Sequence, residues 1–251
     1  MGALHEGHLS LIAASRLQCA ITLCSVFVNP TQFNDKKDLI NYPRMPEIDA
    51  GMLGKANCDV LFLPSVNEIY PANETSEFNF GHLDEILEGS HRPGHFNGVA
   101  QVVKRFFEIV QPDKAFFGSK DFQQVLIVKE LVKQMGSGVE IVACPTLREP
   151  DGLAMSSRNM LLDPEERKVA AMIPRMMQMA KSIALFEGVE AAKKYVLQTV
   201  QDHPLMKLDY YEICDPQTLK PLSAAEHGEP AISLIALFVG KVRLIDNLML
   251  Q

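Results

Sequence analysis

The chain of 251 residues is 47% hydrophobic and 22% charged, enough apolar content for a real core in one large domain or two small ones. A formal net charge of −7 and a pI near 5.5 argue against a nucleic-acid binder, and leave any anionic substrate to a local cluster of cations and helix ends. Five scattered cysteines without a C-x-x-C pair argue against a zinc or disulfide framework, and no apolar run is long enough to span a membrane.

The first eight residues, Met1-Gly2-Ala3-Leu4-His5-Glu6-Gly7-His8, lead into an amphipathic helix expected over 7–17, where Leu9, Ile12, Ala13 and Leu17 share a face. The β-branched apolar run 20–28 is expected as a strand covered on both faces. A helix over 42–56 and a second short buried strand over 59–63 follow. Residues 65–97, rich in Pro, Gly, His and Asn, form the least regular stretch and read as a loop or interaction surface. A helix over 98–110 then turns at Gln111-Pro112-Asp113 into a strand over 114–117, a helix over 121–135 and a strand over 140–144. Strands separated by helices of this size imply a parallel α/β sheet.

The pattern changes near Asp151. Helices over 163–186 and 189–201 precede strands over 208–213, 231–239 and 242–245, as in a small α+β domain. The expected division is 1–146 for the first domain and 147–251 for the second. With no leader and buried thiols suited to a reducing compartment, a cytoplasmic location is expected.

Four segments carry candidate chemistry. His5 and His8 flank Gly7 at a helix start, where backbone N–H groups and the positive dipole end favour a phosphate. The alternative is that His8 merely caps the helix and His5 is solvated. Gln32 lies past the Asn29-Pro30 turn, in the crevice beyond a strand's carboxyl end, and offers a donor and an acceptor to hydroxyl or carboxylate oxygens. On this segment alone a surface turn residue is the better reading. Gly118, Ser119, Lys120 and Asp121 join a strand to a helix and place a mobile charge near a phosphate, yet Asp121 and Gln124 also have capping-box spacing. Met155, Ser156, Ser157 and Arg158, beside Gly152, suit either a mobile lid over a triphosphate or a polar linker. His82, His91, His95, His203 and His227 lack metal-ligand spacing, and His91-Arg92-Pro93-Gly94-His95 reads as a structural loop, with lining of the pocket as the lesser alternative.

Taken in order, M-G-A-L-H-E-G-H, V-F-V-N-P-T-Q-F, Y-P-R at Tyr42–Arg44, H-R-P-G-H-F-N-G-V, F-G-S-K-D-F-Q-Q, D-G-L-A-M-S-S-R-N and R-L-I-D-N resemble the pantoate–β-alanine ligase family, adenylyl-transferring enzymes with HIGH-type signatures. The resemblance covers essentially the whole chain. It implies a Rossmann-like parallel sheet with a smaller C-terminal α+β lid domain, and a homodimer. It also implies ATP-dependent condensation of pantoate with β-alanine through a pantoyl adenylate. Met1, Gly2, Ala3, Leu4, His5, Glu6, Gly7 and His8 would form the nucleotide loop, with His8 catalytic. Gly118, Ser119, Lys120 and Asp121 would hold ATP, as would Leu147, Met155, Ser156, Ser157 and Arg158. Gln32 and Gln124 would bind pantoate, and Mg2+ would ride on the triphosphate without a protein metal site. His5, His8, Lys120 and Arg158 are expected to act as cations on the α-phosphate.

Family members carry a strand and a Pro-Thr pair ahead of this loop, so the first strand of the sheet is expected to be missing and activity weakened. Two other readings stand beside the ligase: an inactive ATP- and pantoate-binding remnant, and another HIGH-type adenylyl transferase.

Overall fold

The computed structural model describes residues 2–33, 39–40, 42–71, 76–224 and 229–250. Two units divide the chain, Met1–Pro145 and Thr146–Gln251, and each has its own apolar core.

In the first unit, helix α1 (Glu6–Arg16) precedes β1 (Leu23–Ser25), and α2 (Pro46–Lys55) crosses from β1 to β2 (Val60–Phe62). The two strands are parallel, with Leu23 opposite Val60. Three short helices follow, α3 (Val66–Ile69), α4 (His82–Glu85) and α5 (Glu88–His91), in the stretch that the composition marks as irregular. The long α6 (His95–Val110) leads to β3 (Lys114–Gly118), and α7 (Phe122–Gln134) crosses to β4 (Glu140–Cys144), parallel to β3 with Lys114 opposite Glu140. The parallel α/β character is as the alternation implies. Among the described residues, however, the strands form two separate pairs, β1–β2 and β3–β4, rather than one continuous sheet.

Several boundaries differ from expectation for identifiable reasons. The run 20–28 contributes a ladder of only three residues, and its burial alternates, with Cys24 and Val26 inward and Leu23 and Ser25 half-buried. It is covered on one face rather than two. The second strand is not buried: Val60 is 42% and Leu61 37% exposed, and among the described residues β2 pairs with β1 alone. Helix α2 starts at Pro46 rather than residue 42, since proline is tolerated at the first helical position and disfavours helix in the residue before it. Helix α6 starts at His95, three residues early, because Gly94 at φ +79° supplies a left-handed entry.

The second unit stacks α8 (Pro164–Ala170), α9 (Met172–Phe186) and α10 (Val189–Gln201) with an antiparallel sheet of β5 (Met206–Cys214), β6 (Ile232–Val239) and β7 (Val242–Met249), in the order β5-β6-β7. The single helix expected over 163–186 breaks at Ala171. Pro174 lacks the N–H that would continue the ladder, and sits instead in the first turn of α9, where that donor has no partner anyway. Ile173, Met176, Met177 and Ala180 bury one face of α9 in a core shared with Ile213, Ile235 and Leu237. None of the five cysteines forms a disulfide, and Cys24, Cys144 and Cys214 are buried. Among the described residues no helix is long and apolar enough to cross a membrane.

Candidate active site

The opening loop is held by a residue that no motif marks. Asp49, near the start of α2, is 1% exposed, and its carboxylate accepts from the backbone amides of Ala3 at 3.0 Å and Leu4 at 2.7 Å. Ala3 lies at φ +49°, a left-handed conformation that costs a residue with a Cβ about 1–2 kcal/mol. The two charge-assisted bonds offset that strain, and Leu4 docks into a small core with Ile12, Cys24, Val26 and Leu53. Met1 lies outside the described residues.

His5 is the N-cap of α1. Its Nδ1 accepts from the Gly7 amide at 3.1 Å, while the Nδ1 of His8 accepts from the His5 amide at 3.3 Å. The pair forms a reciprocal capping box with imidazoles in place of the usual hydroxyl and carboxylate. Two expectations change. The amides of Gly7 and His8 are not open to a phosphate, since Gly7 donates to His5 Nδ1 and His8 to the His5 carbonyl at 2.8 Å. Capping and ligand binding also do not compete, because a ring whose Nδ1 accepts carries its proton on Nε2 and keeps that donor.

The two rings lie 4.1 Å apart, tilted by 43°. Burial, followed by the charge of Lys120, lowers the His5 pKa, and burial together with His5 and Lys120 pushes His8 down to about 3. Both imidazoles are therefore neutral near pH 7. The expected cationic histidines are corrected to neutral N–H donors near the Lys120 cation.

His95 is likewise pushed down to about 4, by burial and then by Arg92. A histidine in the unfolded chain titrates near 6.5, so below that pH the unfolded state binds more protons than the folded one. Stability contributed by these rings is present above about pH 6.5 and is lost as pH falls toward their folded values. The urea midpoint is expected to drop steadily between pH 6.5 and 4, with a shallower slope in His95→Asn. A flat profile over that interval would contradict the burial of these imidazoles.

Lys120 occupies the single 3-10 turn Ser119–Asp121 between β3 and α7, with its Nζ 3.7 Å from the Asp121 carboxylate. Asp121 precedes α7 without a side-chain cap bond, so its capping-box spacing with Gln124 goes unused. Gln124 is half-buried in the first turn of α7. Its neighbour Gln123 is 3% exposed and serves packing, donating to the carbonyls of Leu83 and Ile86 at 2.7 and 2.9 Å while accepting from the Glu88 amide.

Gln32 ends the 3-10 turn Pro30–Gln32, beyond the carboxyl end of β1. Asn29, 3% exposed, sets its side chain. The Asn29 Oδ1 accepts from the Thr31 amide and from Tyr70 Oη at 2.6 Å. Its Nδ2 must then be the group facing the Gly98 carbonyl at 3.0 Å and Gln32 Oε1 at 3.2 Å. With Oε1 accepting, Gln32 presents its NH2 outward as a donor. Sequence reading missed Asn29, Asp49 and Tyr70. Asn before Pro is a turn signal that points to Asn29, whereas nothing local points to Asp49 or Tyr70.

In the second unit the segment assigned to a lid or linker is a pinned hairpin. Met155 N–H donates to the Leu147 carbonyl at 3.0 Å, bringing two expected nucleotide contacts side by side, and Gly152 turns the chain at φ +92°. Arg148 makes a bidentate pair with the buried Asp246 of β7 at 2.7 and 2.9 Å, and also bonds the Gly152 and Asn247 carbonyls. Ser156 caps the 3-10 turn Ser157–Leu161 that carries Arg158, and Ser157 is buried. A cavity of about 300 Å³ in this unit is lined by Asp151, Arg167, Lys168, Ala171, Met172 and Arg175, none of them a sequence-predicted site residue.

Neutral imidazole donors at a helix start, a lysine past the end of a parallel strand and an amide beyond another strand are, on an α/β scaffold, groups suited to phosphoryl and small polar ligands. The family model "Pantoate-beta-alanine ligase" matches residues 1–249. Pantothenate synthetase of Porphyromonas gingivalis is 48% identical over 248 residues, 99% of this chain and 88% of that protein. The crystal structure of pantothenate synthetase from Thermus thermophilus superposes with a TM-score of 0.93 at 43% identity, covering 100% of this chain and 91% of that one. The Francisella tularensis pantoate-beta-alanine ligase, complexed with beta-gamma ATP and beta-alanine, gives a TM-score of 0.82 at 35% identity, over 100% and 87% of the two chains. The chain belongs to the pantoate–β-alanine ligase family.

Proposed function

We propose that the chain condenses pantoate with β-alanine to pantothenate at the expense of ATP, through a pantoyl adenylate. The observation that carries this is the family match over residues 1–249, which favours a working ligase over a binding remnant. In the first step a pantoate carboxylate oxygen bonds to the α-phosphorus of ATP and the bond to pyrophosphate breaks. In the second, the β-alanine amine attacks the acyl carbon, AMP leaves with the bridging oxygen, and the nitrogen gives up a proton.

The residues divide these tasks by their chemistry. Negative charge builds on the α-phosphate as pyrophosphate departs, and preorganised donors there lower the barrier most. Lys120 supplies charge, and the Nε2–H groups of His8 and His5 supply donors that burial keeps neutral and fixed. Gln32 donates its amide to a pantoate oxygen, with Gln124 as a second polar contact. Leu147, Met155, Ser156, Ser157 and Arg158 are assigned to the nucleotide side, together with the loop Gly2–Leu4, Glu6, Gly7, Gly118, Ser119 and Asp121. Mg2+ carried on the triphosphate would neutralise part of its charge, with Lys120 as the nearby protein cation. The family resemblance supports a homodimer and a cytoplasmic location.

His8→Ala and Lys120→Ala are each expected to slow pantoate-dependent ATP–pyrophosphate exchange about tenfold or more, a loss of roughly 1.4 kcal/mol of transition-state stabilisation. Exchange at the normal rate in both variants would remove these residues from the reaction.

A further inference from the structure

We propose that His95 is a positioning residue for pantoate recognition, gripping the Gln32 main chain so that the Gln32 amide stays aimed at the substrate. The inference rests on the reading that Gln32 binds pantoate. His95 belongs to the H-R-P-G-H stretch, whose residues the reaction itself leaves without a task.

His95 is 6% exposed and is the first residue of α6. Its Nδ1 lies 2.8 Å from the Gln32 carbonyl. A carbonyl only accepts, so Nδ1 carries the proton. The lone pair on Nε2 then faces Arg92 Nη1 at 3.3 Å, and a guanidinium only donates. One neutral tautomer satisfies both nitrogens, and it is the opposite tautomer to that of His5 and His8. Arg92 Nη2 reaches the same Gln32 carbonyl at 3.5 Å, and its Nη1 sits 3.8 Å from the Glu88 carboxylate.

The grip is closed from two more sides. One turn into α6, Gly98 brings its backbone so close to the 3-10 turn that a Cβ there would lie 2.3 Å from the Thr31 carbonyl oxygen and 2.8 Å from Gln32 N. Asn29 holds Gln32 Oε1 at 3.2 Å. A half-buried turn residue needs none of this to fill space. Fixing its carbonyl, its preceding peptide and its side-chain oxygen together determines one thing, the direction of the amide N–H bonds.

Steady-state kinetics of three variants tests the role. His95→Phe keeps a ring against Phe96 (centroids 5.1 Å apart in the parent) and removes both nitrogens. The pantoate KM is expected to rise about tenfold or more, with the ATP KM within about twofold of normal. His95→Asn, whose amide donates from the Nδ1 position, is expected to recover most of the loss. In a Gln32→Ala background, His95→Phe should add little further, as for two residues acting through one contact. If Gln32→Ala raises the pantoate KM and His95→Phe does not, the positioning role is overturned while the reading of Gln32 stands. A normal pantoate KM in Gln32→Ala overturns both. Equal losses toward ATP and pantoate in the Phe and Asn variants alike mark His95 as merely structural and overturn the proposal. Should His95→Phe fail to fold, His95→Gln, with its donor displaced to the Nε2 position, replaces it with the same expected rise.

Discussion

Asp49→Ala is expected to lower stability by about 2–4 kcal/mol and to remove most of the ATP–pyrophosphate exchange activity. The substitution strands the amides of Ala3 and Leu4, residues 0% and 7% exposed, without their acceptor. Each buried, unpaired amide costs about 1–3 kcal/mol. Against that, the variant no longer keeps a carboxylate out of water, so the net loss is smaller than the sum of the two bonds. Function suffers more than stability. With its two bonds gone, Ala3 has no reason to stay at φ +49°, and the relaxing loop carries the His5 cap and the imidazole pair with it. Asp49→Asn separates charge from shape: one amide keeps an oxygen, while the other meets an NH2 that can only donate. It is expected to fold better than the alanine variant and still to lose activity. Urea unfolding together with exchange rates decides the matter, and parental exchange in Asp49→Asn would show that the loop needs no carboxylate beneath it.

Gly98→Ala is expected to destabilise the first unit by about 1–3 kcal/mol and to raise the pantoate KM. In a free helix the same change would stabilise by about 1 kcal/mol, so packing has to overcome propensity. It does here, because the new Cβ would meet backbone atoms of Thr31 at 2.3 and 2.5 Å, which no rotamer change can relieve. The 3-10 turn must move away from α6, taking Gln32 off its hydrogen bonds. Gly51→Ala in α2, where nothing lies within 4 Å of the added carbon, is the matched control and is expected to stabilise slightly. Opposite signs for the two glycines, read from urea midpoints, support the close approach, and equal signs would refute it.

Much of the scaffold is legible from periodicity. The strand Glu140–Cys144 and the helix Val189–Gln201 coincide with expectation, and Phe122–Gln134 lies within one residue of it at each end. These segments have strong patterns and clear punctuation, Pro145 after β4 and Gly188 before α10. The runs 20–28 and 59–63 read as more deeply buried strands than they form, because an apolar run reports hydrophobicity and not the number of neighbours the strand acquires. A continuous helix over 163–186 follows from apolar periodicity only if Pro174 is given too little weight.

Within the candidate site, the order of residues along the chain already specifies the chemical inventory: two imidazoles at a helix start, an amide past an Asn-Pro turn, and a lysine after a strand. Spacing of a few residues is enough for that, since helix caps and turns are local. The working state of those groups comes from folding instead. Burial and a lysine more than a hundred positions away make the imidazoles neutral, Asp49 reaches back 46 and 45 residues to the loop, and His95 reaches 63 residues to Gln32. Protonation, tautomer and amide direction depend on desolvation and on partners brought from distant positions, and neither exists until the chain has folded.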